Sequence, residues 1–379
     1  MLNDDQEQFK SVVAKFLGDK STPGAVRELM ATDQGYDPAV WLQLSQELGL
    51  LGTHIPESYG GYGFGAVEQS IISYEMGRSL FCGPYFSSAI LAGYALLVGA
   101  DETHKTRLLP GIASGDVLAT VLIDDLNDAQ GLGRQFTISG EQLSGEADMV
   151  VDAHVADLLV VPVRQEQSVR LFVIDSNQAE CELLESMDQT RKLSRVRLQS
   201  VTGKEIGQLD SAEVDRYWDH INTALAAEMM GGAEHLFSTT IEYMKMRMQF
   251  GRLIGSFQGL KHRCADLMLQ LELAKATTQD AARYLATGDG LNYAPNMAKA
   301  MADCFWERKP VEAQLVATNG LKQDATVSAA MKTGFDACKD VYGEHAVTPQ
   351  GEPVLLNPQI FLRELRKSDP NESADGGNS

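Results

Sequence analysis

Apolar residues recur at three- and four-residue spacing from the N-terminus to about residue 115. The clearest pieces are FKSVVAKFLGD, VWLQLSQELGLLG, VEQSIISYEMGRSLF and ETHKTRLLPGIASG, and the spacing predicts helices. A glycine-rich loop, ESYGGYGFG, interrupts them. From about 116 to 212 the period shortens to that of strands, in VLATVLID, FTISGEQLSG, MVVDAHVADLLVVPV, VRLFVID and RVRLQSV. Helical spacing returns from 213, beginning with RYWDHINTALAAEMMGGAEHLFSTTIEYMKMRMQF. Helices, then strands, then helices argue against an alternating β/α sheet. The chain therefore reads as mainly α with a central β domain: a helical domain over 1–115, a β domain over 116–212 and a helical bundle over 213–366. The polar, glycine-containing KSDPNESADGGNS of 367–379 is expected to be disordered.

One stretch resists its own pattern. YMKMRMQFGRLIGSFQGLKH, residues 243–262, breaks a helical run with Phe250-Gly251-Arg252 and Gly255-Ser256 and then resumes it. Each interior glycine costs a helix about 1 kcal/mol, so packing alone would favour alanine. Glycines let backbone approach a ligand, and a guanidinium such as that of Arg247 suits an anion.

Composition narrows the function. The 379 residues are 44% hydrophobic and 22% charged, as in ordinary globular domains, and no uncharged apolar run is long enough to span a membrane. The acidic, amphipathic N-terminal stretch does not read as an export signal. A formal charge of -20 opposes binding to nucleic acid or to an anionic membrane. Five scattered cysteines without C-x-x-C spacing read as reduced, cytoplasmic thiols, and the seven histidines form no metal-ligand motif.

Three pieces in order resemble the FAD-dependent acyl-CoA dehydrogenases, over roughly residues 1–345. IPESYGGYGFGAVEQSIISYEMGRSL is similar to the family's Pro-Glu-x-x-Gly-Gly loop and the helix after it, and FTISGEQLSGEADMVVDAHVADLLVVPV to its strand pair ending in Ala-Asp. RMQFGRLIGSFQGLKH is similar to its Arg-x-x-Phe-Gly-x-x-Ile-x-x-x-Gln. The segment GPYFSSAILAGYALL most resembles branches handling bulky acyl-CoA thioesters, including steroid side-chain intermediates. The resemblance implies an N-terminal helical domain, a middle β-barrel and a C-terminal four-helix bundle through which subunits form tetramers. It implies FAD as cofactor, an acyl-CoA substrate and an electron-transfer flavoprotein as electron acceptor. Carried over by motif, Arg247 would meet the diphosphate or ribose of the neighbouring subunit's FAD, Phe250 would pack along it, and Gln258 would bond near the adenosine.

Elsewhere the pattern departs from the family. Where the family holds the flavin ring with a Thr-Glu-Pro-x-x-Gly-Ser-Asp-like segment, this chain has VLIDDLNDAQGLGR, whose Asp124, Asp125 and Asp128 bring carboxylates towards an electron-rich ring. A second cofactor turn, Gln-x-x-Gly-Gly-x-Gly, survives only as QLVATNG, keeping Gln314 and Gly320. The catalytic glutamate, usually in Tyr-Glu-Gly, has its nearest counterpart in Glu344 of Tyr342-Gly343-Glu344, with Asp324 a poorer candidate. The family's alternative placement, roughly six helical turns before Tyr243 at ~3.6 residues per turn, falls near Ile221. Glu228 reads as a helix-packing acid satisfied by a partner, His235 and His262 as structural, and Met244, Met246 and Met248 as adaptable packing.

Two readings follow from the resemblance. One is a fully active homotetrameric dehydrogenase. The other, favoured by which motifs survive, is a partner-dependent subunit that shares FAD with a second acyl-CoA dehydrogenase-like chain. An acyl-CoA oxidase remains open on sequence, whereas a nucleic-acid-binding alkylation-response relative conflicts with the charge.

Overall fold

The computed structural model of the protein describes residues 2–307, except 127, 167, 289–291 and 293, together with the pairs 346–347 and 353–354. Helices α1 (Asp4–Lys20), α2 (Pro23–Met30) and α3 (Pro38–Gln46) start where Asn3, Thr22 and Asp37 accept backbone N–H bonds, so side chains satisfy the helix ends. After the glycine-rich loop come α4 (Ala66–Ser79), a π-helix over Tyr85–Ala92, α5 (Gly93–Gly99) and α6 (Glu102–Ser114).

Two four-stranded sheets follow. The first runs in the order β1 (Ala119–Val121), β4 (Leu158–Gln165), β5 (Ser168–Asp175), β8 (Lys204–Leu209), with only β1–β4 parallel. The second runs β2 (Phe136–Ser139), β3 (Gln142–Val151), β7 (Leu193–Thr202), β6 (Glu180–Leu184). Leu159, Val161, Val163, Phe172 and Ile174 of the first sheet meet Phe136, Leu143, Val196 and Leu198 of the second in one core. The other face of the first sheet, with Val160, Val169, Leu171 and Val173, packs into the helical core instead. A sheet buried on both faces needs apolar residues at every position, which is why LLVVPV does not alternate. The second sheet keeps a solvent face, where Arg195 and Arg197 lie among Glu146, Asp148, Glu180 and Glu182.

Helix α7 (Ser211–Met246) runs back past these layers and is followed by α8 (Gln258–Thr287) and α9 (Ala294–Glu307). Ala226, Ala233, Ala274, Ala281, Ala298 and Ala302 line their shared core, small side chains that let the axes approach. A fourth bundle helix would fall in 308–345, outside the described residues. Of the described residues beyond it, β11 (Ala346–Val347) pairs antiparallel with β12 (Pro353–Val354).

The N-terminal helices are fixed to α7 in two ways. His54 and His220 stack on opposite faces of Tyr94, at 4.5 and 3.9 Å between centroids. Burial lowers the imidazole of His54 to about 4 and that of His220 to about 3, so both are neutral at physiological pH. Helix α4 crosses α7 glycine to backbone: a Cβ on Gly77 would collide with the Glu228 carbonyl, and one on Gly231 with the Tyr74 carbonyl. Gly231→Ala should therefore destabilise the protein by about 1–3 kcal/mol, the usual range for overpacking, read as a lower urea midpoint with unchanged slope. An unchanged midpoint would mean that the two helices separate freely.

Candidate functional site

The interrupted stretch is a β-hairpin inserted between two long helices. Helix α7 stops at Arg247, and β9 (Met248–Gln249) pairs with β10 (Arg252–Leu253). The turn places Phe250 at φ 53° and Gly251 at φ 75°. Two consecutive left-handed residues define the two-residue hairpin turn whose twist matches the flanking strands. The carbonyl of Arg247 accepts from the Ile254 N–H at 2.9 Å, which closes the hairpin and delivers the chain into α8.

The hairpin and the adjoining helix ends stand out from the fold. Nine of the fourteen exposed large apolar side chains of the described residues lie between Tyr243 and Leu273, including Phe250 at 91% and Met246 at 71% exposure. Such a concentration marks a surface that a further segment or another chain covers. Met244 alone of the three methionines expected to pack does so; Met246 and Met248 face solvent. His235 and His262 are exposed on their helices.

This arm is also electrically distinct. Residues 243–265 hold Lys245, Arg247, Arg252, Lys261 and Arg263 and no carboxylate, in a chain of net charge -20. Arg252 lies over the Phe257 ring at 3.9 Å. Gln258 opens α8, and the residue before it, Phe257, gives no side-chain cap, so the helix start presents N–H groups without a side-chain acceptor. Those N–H groups and the Arg247 guanidinium fit a diphosphate. The residues expected to serve one end of FAD are thus gathered on one projecting element.

The ring-binding segment fits the same cofactor poorly. Asp124 Oδ1 accepts from the Asp148 N–H at 2.7 Å, tying the loop to β3. Asp128 Oδ1 caps the Gly131 N–H at 2.8 Å, and its other oxygen lies 3.9 Å from Arg134. The carboxylates hold this loop in shape and offer no donor array for a flavin ring.

The nearby seam between the β domain and α7 contains groups that sequence reading did not single out. Arg191, just before β7, donates to Glu228 Oε1 of α7 at 2.6 Å and lies 4.8 Å over the Phe86 ring of the π-helix. Glu228 is thus an acid with a partner. Ser87 of the π-helix donates to Asp152 Oδ2 at 2.7 Å. Burial raises the Asp152 carboxyl to about 6, against the opposing effects of the Ser87 bond and Arg191. Ile221, at the alternative position for a catalytic carboxylate, is wholly buried in the helical core. Two residues earlier, burial and then Asp215 raise Asp219 to about 7. Glu344, Asp324, Gln314 and Gly320 lie outside the described residues. A groove of about 660 Å³ between α6 and the β domain, lined among others by Arg107, Arg170, Gln178 and Lys204, shares no residue with the arm or the seam.

Comparison with known proteins agrees with this architecture. The family described as acyl-CoA dehydrogenase, N-terminal domain, matches residues 3–116, and acyl-CoA dehydrogenase, C-terminal domain, matches 219–333. The acyl-CoA dehydrogenase IpdE2 of Mycobacterium tuberculosis is 31% identical over 280 residues, covering 73% of this chain and 76% of that protein. The chain belongs to the acyl-CoA dehydrogenase family, a family of FAD-dependent oxidoreductases. Among solved structures, the ChsE4-ChsE5 complex from Mycobacterium tuberculosis is similar with a TM-score of 0.71 at 22% identity, covering 97% of this chain and 99% of that one. Butyryl-CoA dehydrogenase from Megasphaera elsdenii is similar with a TM-score of 0.72 at 20% identity, covering 89% and 94%. Both share the fold.

Phe250 occupies a left-handed position that favours asparagine or glycine, so its ring is not there for the turn. Phe250→Asn relieves that strain and loses an edge contact to Phe257 at 6.2 Å between centroids. The isolated chain should keep its stability within about 0.5 kcal/mol, as for other surface changes. Its association with other subunits should weaken, as read by sedimentation velocity. A stability loss typical of a core substitution would show that the ring is buried within its own chain.

Proposed function

We propose that this chain is the arm-donating subunit of a hetero-oligomeric acyl-CoA dehydrogenase, in which two unlike chains share each FAD. The observation that carries the reading is the contrast between two segments. The basic, apolar arm is built to reach another subunit and an anion, whereas the loop expected to hold the flavin ring has its carboxylates engaged in its own turn and in β3. The buried Ile221 supports it, because the alternative base position itself carries no carboxylate.

When bound, FAD supplies the acceptor for the β-hydride of an acyl-CoA thioester whose α-proton goes to a carboxylate, and an electron-transfer flavoprotein carries the electrons on. This chain's own part is to bind and orient. Arg247 and the bare N-terminus of α8 neutralise the diphosphate, Gln258 bonds near the adenosine, and Phe250 covers an apolar side of the cofactor. Gln314 and Gly320 would add a second contact. The partner chain supplies the ring-binding loop and the base. Two solved structures of the same fold, the ChsE4-ChsE5 complex and the Tcur3481-Tcur3483 steroid ACAD, pair two differently named chains. Their likeness supports a bulky acyl group as substrate and a hetero-oligomer as the working form. The scattered cysteines suit the reducing cytoplasm.

Expressed alone, the chain should purify with little or no FAD; co-expressed with a complementary dehydrogenase chain, it should yield about one FAD per pair. In that assembly Arg247→Ala should weaken FAD binding by roughly 1.5–3 kcal/mol while the fold persists, as expected for a lost charge-assisted contact. Absorbance at the flavin maximum against protein concentration reads both. A yellow homo-oligomer with one FAD per subunit would overturn the proposal in favour of a self-sufficient enzyme.

A further inference from the structure

The seam between the β domain, the π-helix and α7 concentrates charge where packing is tightest. Arg191 and Lys192 enter it from the segment before β7, Asp188 from the same segment, Asp152 from the turn after β3, and Glu228 from α7; Cys82 and Ser87 face it from the chain around the π-helix start. Lys192 Nζ donates to the Met30 carbonyl at 2.8 Å and is anchored on the N-terminal helices. Asp188 Oδ1 accepts from the Thr190 N–H and hydroxyl, and its Oδ2 is buried without a hydrogen-bond partner among the described residues. Formally the cluster holds two cations and three carboxylates, so full ionisation leaves one uncompensated negative charge in a buried place.

The pair that crosses the seam is mechanically committed. The Glu228 backbone is pressed against Gly77 of α4, and its side chain reaches Arg191 at 2.6 Å. Arg191 is capped by the Phe86 ring, and the next π-helix residue, Ser87, holds Asp152. One guanidinium therefore links three bodies: β domain, π-helix and α7.

We propose that Arg191, Glu228, Asp152 and Ser87 form an interdomain latch that proton uptake tightens and proton loss loosens. Ionisation of Asp152 leaves a charge stripped of water at the seam, which the Ser87 bond and Arg191 offset only in part and Glu228 opposes; protonation removes that charge beside the Arg191–Glu228 pair. The sign follows from the direction of the Asp152 shift. Its folded-state carboxyl titrates near 6, above the ordinary 3.8, so the folded seam binds the extra proton and its stability falls as pH rises through that window. Burial raises Asp188 in the same direction. The latch stands independently of how FAD is shared, because every group in it belongs to this chain.

Hydrogen exchange of the full-length chain tests it, in peptides covering 186–192 and 225–231, at pH 5.0 and 8.0 after correction for intrinsic rates. Wild type should show protection roughly tenfold greater at pH 5.0, local opening being the event that exchange reports. Asp152→Asn should hold the pH 5.0 level at both values. Arg191→Met should lose protection at both, and Ser87→Ala, a milder change that spares the ion pair, should weaken protection at pH 5.0. Equal protection of wild type at the two pH values, or a pH dependence that survives Asp152→Asn, would overturn the latch.

Discussion

Helix α7 can cross the fold only where its neighbour has no side chain. At Gly77 and Gly231 two helix backbones touch, and that contact fixes the height and rotation of a 36-residue rod. Everything functional hangs from the setting. On one side the rod turns Glu228 towards Arg191; on the other it carries its last turns out of the core and ends in the hairpin. Ordinary side chains at the crossing would move Arg247 and Phe250 together with Glu228, because a rigid helix transmits the displacement along its length.

The two ends of α7 meet opposite physical demands. The first half is enclosed, so its polar groups need partners: the Tyr217 hydroxyl donates to the Leu91 carbonyl at 3.1 Å, and His220 stacks on Tyr94. From His235 onward the helix is largely exposed and leaves Tyr243 and Met246 uncovered, which is costly for a lone chain and sensible for a subunit. The charge pattern adds direction. Five cations within 243–265, on a chain of net charge -20, suit an anionic ligand.

Much of this was legible in the sequence, and the failures have physical causes. Strong periodicity located the long helices, and the glycine break at 251 marked the stretch as serving more than packing, but not as a hairpin, because the left-handed turn at Phe250 is written in no propensity for phenylalanine. Strands β6 and β8 escaped notice: β6 carries Glu180 and Glu182 towards solvent, and Gly207 in β8 lets the chain pass against Gly99 and Ala100, so neither shows a clean alternation. Glu228 was recognised as an acid needing a partner, but Arg191 lies 37 residues away and only the tertiary fold joins them. Asp152 gave no signal, since a carboxylate in a turn is ordinary until burial makes it otherwise.

The central claim is that this chain's arm serves a flavin held in another chain's ring-binding site. An electron cryomicroscopy map of the co-purified assembly tests it most directly. The account predicts FAD with its diphosphate against Arg247 and the start of α8, its ring enclosed by the partner chain, and the Arg191–Glu228 seam of this chain closed over no cofactor. A flavin ring seated between this chain's own 121–134 loop and its own α7 would contradict it.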